Sequence, residues 1–257
     1  IALSNIKIFK SEYKELSKSE LKINLNHEQK MVFHDISKNI DTFSTSLIHG
    51  VTGSGKTEVY INLAKEVTSK NKQVLIIVPE INLTPQTITR FEMYIDKRIQ
   101  SYHSGHTTKD KVTTWINARD GKLDIIIGTR SSIFLPFKSL GLIIIDEEHD
   151  ASLKQQEKFK YHARDLSIMR AKNLNIPIVI GSATPSFESL HNVSLEKFKK
   201  YNLTKRYHKI DLPKITLVDL NKDLPEHGIS KYLKDAIIKN LDNNKQTLLY
   251  IGRRGYS

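Results

Sequence analysis

Five short aliphatic runs do most to limit what this chain can fold into. They occupy residues 46–49, 74–78, 124–127, 142–145 and 177–180, are rich in Ile and Val, and do not alternate with polar residues. A strand buried on one face alternates, whereas a strand buried on both faces reads as a continuous apolar run. Strands of the second kind belong to parallel sheets covered by helices on both sides. The stretches between the runs, such as residues 58–69 and 163–173, have the spacing of crossover helices. Residues 26–40 repeat the helical spacing through Met31, Phe33, Ile36 and Ile40. The expected architecture is α/β, a doubly wound parallel sheet with crossover helices.

The first run leads into Gly50-Val-Thr52-Gly53-Ser54-Gly55-Lys56-Thr57, which has the spacing of a P-loop. It follows a strand and precedes a helix, the context such a loop requires. Glycines let backbone N–H groups curl around phosphate oxygens, and the following helix adds its positive end. Lys56 is suited to the β- and γ-phosphates and the Thr57 hydroxyl to Mg²⁺. The sheet is therefore expected to be of the RecA-like, P-loop NTPase kind, with ATP and Mg²⁺ as cofactors. The fourth run ends in Asp146-Glu147-Glu148-His149. Carboxylates at the end of a buried strand are costly unless a cation or substrate meets them. Asp146 is the candidate Mg²⁺ holder, and Glu147 the candidate base for an attacking water.

Composition adds less. Lys and Arg number 40 against 28 Asp and Glu, a net charge of +12. That surplus suits a polyanionic partner, although the lysines are scattered enough to be solvated helix faces. The absence of cysteine excludes disulfides and thiolate zinc sites within this segment. His103 and His106 lack the cysteine or acidic partners of a metal site. No run reaches the ~18 apolar residues of a membrane span and no signal peptide is visible, so the expected compartment is the cytoplasm. The chain begins with Ile1 rather than Met, and a longer parent protein is expected.

The order P-loop, Asp-Glu-x-His, then Gly181-Ser182-Ala183-Thr184 resembles the superfamily 2 helicases. On that resemblance His149, Ser182 and Thr184 couple the nucleotide to the nucleic-acid side, and Gln29 reads adenine. Longer strings are narrower. Pro79-Glu-Ile-Asn-Leu-Thr84-Pro-Gln86, Gly128-Thr129-Arg130-Ser131, His103-Ser-Gly and Lys154-Gln-Gln-x₄-Tyr161-His-Ala-Arg-Asp165 resemble the PriA family of primosomal, replication-restart DNA helicases. So does Gly252-Arg253-Arg254-Gly-Tyr256, with Gly where that family has Asn.

The resemblance implies DNA contacts by Thr84, Gln86, Thr129 and Arg130, and base stacking by Phe159 and Tyr161 in a loop that couples DNA binding to hydrolysis. The residues alone also allow helix caps or surface polar groups at the polar positions and packing on the next helix for the aromatics. The implied activity is ATP-dependent unwinding in the 3′-to-5′ direction at abandoned forks. The implied partners are forked or single-stranded DNA, single-strand DNA-binding protein, and primosome or helicase-loading proteins. The implied layout is a connector at residues 1–24, a first RecA-like lobe at 25–198, and a linker with an incomplete second lobe at 199–257. Strands are expected at 215–220 and 247–251, and a helix at 230–241. Zinc-binding cysteines and an arginine finger would lie beyond Ser257, so the chain alone is expected to bind ATP but turn it over poorly. Two rivals remain: an RNA-directed or other superfamily 2 translocase, and a P-loop kinase or nucleotidase, which would not explain the later motifs. A non-catalytic scaffold lobe is disfavoured by the intact lysine and acidic pair.

Overall fold

The structure is a computed structural model that describes residues 23–83, 85–205, 214–223, 225 and 228–250. Thr84, residues 251–257 with the Arg253–Arg254 pair, and nearly all of the expected connector lie outside the described residues. The chain divides into two compact units, Ile1–Lys209 and Ile210–Ser257.

The first unit is built on seven strands: β1 (Thr45–Gly50), β2 (Gln73–Ile77), β3 (Ile99–Tyr102), β4 (Ile125–Gly128), β5 (Leu140–Ile145), β8 (Ile178–Ser182) and β9 (Lys199–Leu203). Two residue pairs, β6 (Lys154–Gln155) and β7 (Tyr161–His162), form a separate antiparallel hairpin. The sheet order is β3-β4-β2-β5-β8-β1-β9, and every pairing is parallel. Each aliphatic run seen in the sequence is a central strand, and β4 and β5 are buried at every residue.

Helices cover both faces. One core packs Ile125, Ile127 and Ile144 with Val59, Leu63 and Val67 of α2 (Lys56–Ser69) and Phe91 of α3 (Pro85–Tyr94). Val32 and Ile36 of α1 (His27–Ser37) close the same side. The opposite core packs Ile126, Ile143 and Ile145 with Ala118 of α4 (Thr108–Arg119) and Ala163 and Ala171 of α5 (Ala163–Asn173). Alternate residues of one Ile run thus serve two cores, which is why no polar residue interrupts it. A short helix α6 (Phe187–Ser194) follows β8.

Two differences from the sequence reading stand out. β9 pairs with β1 and so carries the first sheet past the boundary expected at residue 198. It escaped notice because it is a charged edge strand, with only Leu203 buried. In the second unit, helix α7 (Lys231–Asp242) forms as expected, capped by Ser230. The expected strands do not: residues 215–220 and the described part of 247–251 belong to no sheet. Ile215, Leu217, Leu248 and Tyr250 are more than four-fifths exposed. A β-prone apolar stretch makes a strand only where a neighbour supplies the hydrogen-bonded ladder, and neither segment has one among the described residues.

At the far edge, Asp124 accepts from Arg98 N–H, Nε and a terminal guanidinium nitrogen at 2.9, 3.0 and 2.9 Å, tying the start of β3 to that of β4. The Arg98 hydrogen bonds hold the Asp124 carboxyl below the usual carboxylate range, against the opposing effect of burial. A depressed folded-state pKa contributes stability above the unfolded value of about 3.9 and loses it as pH falls through the lower folded value. Asp124→Asn should therefore lower the denaturation midpoint at pH 7 by an amount worth up to about 1 kcal/mol. Thermal melts from pH 7 downward should show the gap to wild type closing below about pH 4.

Candidate nucleotide and nucleic-acid site

All the singled-out motifs of the first unit except Gln29 and the hairpin follow carboxyl ends of parallel strands, so topology alone gathers them along one edge. The P-loop follows β1 and Asp146 follows β5. β8, which carries Gly181 and Ser182, lies between those two strands. Ligands of open α/β sheets bind along this edge.

The P-loop is shaped by its glycines. Gly53 and Gly55 have φ of 78° and 83°, a region that favours glycine. Gly55 is doubly constrained, because a Cβ there would stand 2.0 Å from Gln29 Nε2. Gln29 is buried, and both ends of its amide are committed. Its Oε1 accepts from Asn26 N–H at 2.8 Å in a capping box. Its Nε2 donates to the carbonyls of Ser54 and Gly55 at 3.0 and 3.3 Å. Gln29 thus props the P-loop here, and reading adenine would require it to exchange those bonds.

Lys56 Nζ donates to the Gly50 carbonyl at 2.9 Å and lies 3.7 Å from Glu147 Oε1. Ser54 Oγ is buried without a partner. A cavity of about 290 Å³ opens here, lined by residues 51–58 with Arg90, Asp146 and Glu147. Burial and the adjacent Glu147 raise the Asp146 carboxyl above its usual range, opposed by Lys56. An orphaned hydroxyl, a lysine resting on its own loop and a carboxylate disfavoured as an anion all fit a site shaped for a phosphate–Mg²⁺ ligand. Among the described residues no group of three or more His, Cys, Asp or Glu could hold a metal ion by itself.

The Asp146–His149 segment is held from three sides. Asp146 N–H donates to the Ile77 carbonyl and Glu148 N–H to the Gly181 carbonyl, at 2.9 and 3.0 Å. Glu147 has φ 48°, a strained setting for a non-glycine residue that costs about 1–3 kcal/mol. Glu148 has a fully buried side chain paired with Arg164 at 3.0 Å. Its carboxylate also accepts from Ser186 N–H, Ser186 Oγ and Ser189 Oγ at 2.7, 3.0 and 2.9 Å. His149 Nδ1 lies 2.7 Å from Ser182 Oγ, which accepts from Thr184 N–H at 3.0 Å. The two motifs are therefore one bonded unit, with Thr184 joined through its backbone.

The expected nucleic-acid residues fare unevenly. Gln86 is exposed on α3 and Phe159 is 69% exposed. Phe159, Tyr161 and Phe134 cluster with ring centroids 5.0–6.3 Å apart. Arg130 donates to the Ser152 carbonyl at 2.8 Å, which anchors the start of the β6–β7 hairpin. Thr129 is 2% exposed, so its side chain does not present to a phosphate backbone; its N–H instead extends the β3–β4 ladder to the Tyr102 carbonyl.

A family model described as DEAD/DEAH box helicase matches residues 26–193. The chain belongs to the DEAD/DEAH box helicase family. It is 42% identical over 239 residues to the replication restart protein PriA of Haemophilus influenzae, covering 93% of this chain and 33% of that protein. It is 37% identical over 238 residues to the PriA of Bacillus subtilis, covering 91% of this chain and 30% of that protein. The chain thus spans about a third of the curated relatives it matches. Among solved structures, RecG bound to a three-way DNA junction aligns with a TM-score of 0.54 at 22% identity, over 74% of this chain and 25% of that one. The helicase MrfA bound to DNA aligns with a TM-score of 0.50 at 16% identity, over 71% of this chain and 27% of that one. At these identities the likeness concerns the fold.

Sequence reasoning missed Tyr60, Arg90 and the Arg164–Ser186–Ser189 set around Glu148. Tyr60 donates to Asp146 Oδ1 at 3.0 Å, and burial pushes its own hydroxyl well above the usual tyrosine range. Its position one helical turn after Lys56 was the available signal. Gly181 makes room for that bond, because a Cβ there would stand 1.7 Å from the Tyr60 hydroxyl. Gly181→Ala should destabilise by about 1–3 kcal/mol through overpacking. Adding Tyr60→Phe, which removes the clashing oxygen, should recover most of the loss in denaturant melts.

Proposed function

We propose that this chain is the ATP-binding motor lobe of a 3′-to-5′ DNA helicase that unwinds stalled or abandoned replication forks and promotes primosome assembly for replication restart. The observation that carries the reading is the union of P-loop, Asp146-Glu147 and Ser182-His149 along one sheet edge, in a chain 37–43% identical to replication restart proteins. Lys56 would meet the β- and γ-phosphates, Thr57 and Asp146 would hold Mg²⁺, and Gly50, Thr52, Gly53, Ser54 and Gly55 shape the cradle. When bound there, Mg²⁺ would supply charge neutralisation on the transferring phosphoryl group. Glu147, within reach of Lys56, orients the attacking water and takes its proton. His149, 3.6 Å from Glu147 and 2.7 Å from Ser182 Oγ, links the charge on that carboxylate to Ser182 and Thr184.

DNA runs along the same edge. Gln86 contacts the backbone and Phe159 stacks on bases, with Tyr161 backing it and Arg130 holding the hairpin. The +12 charge favours that polyanion. Residues 25–198, together with β9, form the first lobe, and the second unit begins the next. Partners are forked or single-stranded DNA, single-strand DNA-binding protein and primosome proteins, in the cytoplasm. Any zinc of the whole protein is held by cysteines this chain lacks. Among the described residues no helix is long and apolar enough to cross a membrane.

The test uses the protein carrying this chain on a forked duplex. Glu147→Gln should bind MgATP and fork as wild type does while ATP turnover falls by about 10²–10⁴-fold and unwinding stops. Turnover and unwinding at wild-type rates would refute the role of Glu147. Equal unwinding of an RNA fork would refute the DNA-restart reading.

A further inference from the structure

One ion pair at the mouth of the P-loop cavity has no part in the motifs above. Glu58 lies in the first turn of α2, two residues after Lys56. Arg90 lies on α3, pairs with Glu58, and lines the same cavity. Glu58 is mostly buried while Arg90 is half-exposed, with side-chain exposures of 19% and 49%. Only one carboxylate oxygen of Glu58 meets Arg90. Its other oxygen, Oε2, is buried without a hydrogen-bond partner.

The charges make this placement costly for an anionic ligand. The cavity is lined by two cations, Lys56 and Arg90, and three carboxylates, Glu58, Asp146 and Glu147. Asp146 and Glu147 have their proposed partners in Mg²⁺ and the attacking water. Glu58 has no such partner, yet it lines the cavity that would take a polyphosphate. Its helical position suits a carboxylate, because the first turn of a helix is positive. A residue that favours the helix thereby opposes the ligand, unless its charge is cancelled.

We propose that Arg90 is a nucleotide-affinity residue that neutralises Glu58, so that the P-loop can accept a polyphosphate. The proposal rests on the reading of this cavity as the nucleotide site. It gives α3 a double role, since the helix that carries Gln86 toward DNA also sets the charge at the nucleotide mouth. Any shift of α3 that parts Arg90 from Glu58 lowers nucleotide affinity.

The test is a double-mutant cycle on this chain, read by equilibrium titration with MgATP and MgADP. Arg90→Ala should weaken both nucleotides by about tenfold. Arg90→Lys, which keeps the charge, should stay within about threefold of wild type, and Arg90→Ala with Glu58→Gln should return to that range. The Arg90→Ala deficit should shrink as salt is raised, because screening weakens the uncovered Glu58 charge. If Arg90→Ala fails to fold, Arg90→Gln with and without Glu58→Gln gives the same cycle. Wild-type affinity in Arg90→Ala, or no recovery in the double variant, would overturn the proposal. Wild-type affinity in Lys56→Ala would instead remove the nucleotide-site reading beneath it.

Discussion

Glu148 carries a carboxylate with no exposed surface, in the middle of the loop that bears Glu147 and His149. An unpaired carboxylate there would cost several kcal/mol, so the surrounding structure is arranged to satisfy it. Arg164 comes from the start of α5, directly after the aromatic hairpin, while Ser186 and Ser189 come from the cap and first turn of α6. One buried charge thereby fixes the relation of the acidic loop to the hairpin on one side and to the Ser182–Ser186 segment on the other. The flanking residues inherit that placement. Glu147 holds a strained backbone near Lys56, and His149 reaches Ser182.

The parallel sheet supplies the other half of the arrangement. Parallel strands send all their carboxyl ends to one edge, and the order β2-β5-β8-β1 sets the acidic loop and the P-loop on either side of the Ser182 strand. The acidic loop and the Ser182 segment are therefore joined across neighbouring strand ends by single hydrogen bonds. The stiffness of the doubly covered sheet lets bonds of about 3 Å hold register between segments far apart in sequence.

Much of this arrangement is legible in the sequence alone. The unbroken Ile/Val runs gave the parallel sheet because burial on both faces leaves no place for polar residues. The P-loop and acidic motifs pointed to residues that line one cavity, because their spacing follows from phosphate and metal geometry. What stayed hidden depends on contacts between distant segments. Tyr60 and Gly181 define each other only across the sheet, and Arg164 looks like any helix arginine until Glu148 is found beneath it. β9 hid behind its lysines because an edge strand needs no apolar run. Thr129 is buried although a polar residue after a strand reads as exposed. Residues 215–220 and 247–250 misled in the other direction, since β-prone apolar residues record a preference that only a neighbouring strand can realise.

The most direct test of this arrangement is the DNA-stimulated ATP turnover of Glu148→Gln in the protein carrying this chain, with folding verified by circular dichroism. Gln cannot accept from Arg164 and the serines together, so the acidic loop should lose its register. A misplacement of about 1 Å costs about 10²-fold in rate, and the expected result is a fall of that order in kcat with nucleotide affinity within a few-fold of wild type. An unchanged kcat in a folded variant would contradict the view that this buried carboxylate aligns the site.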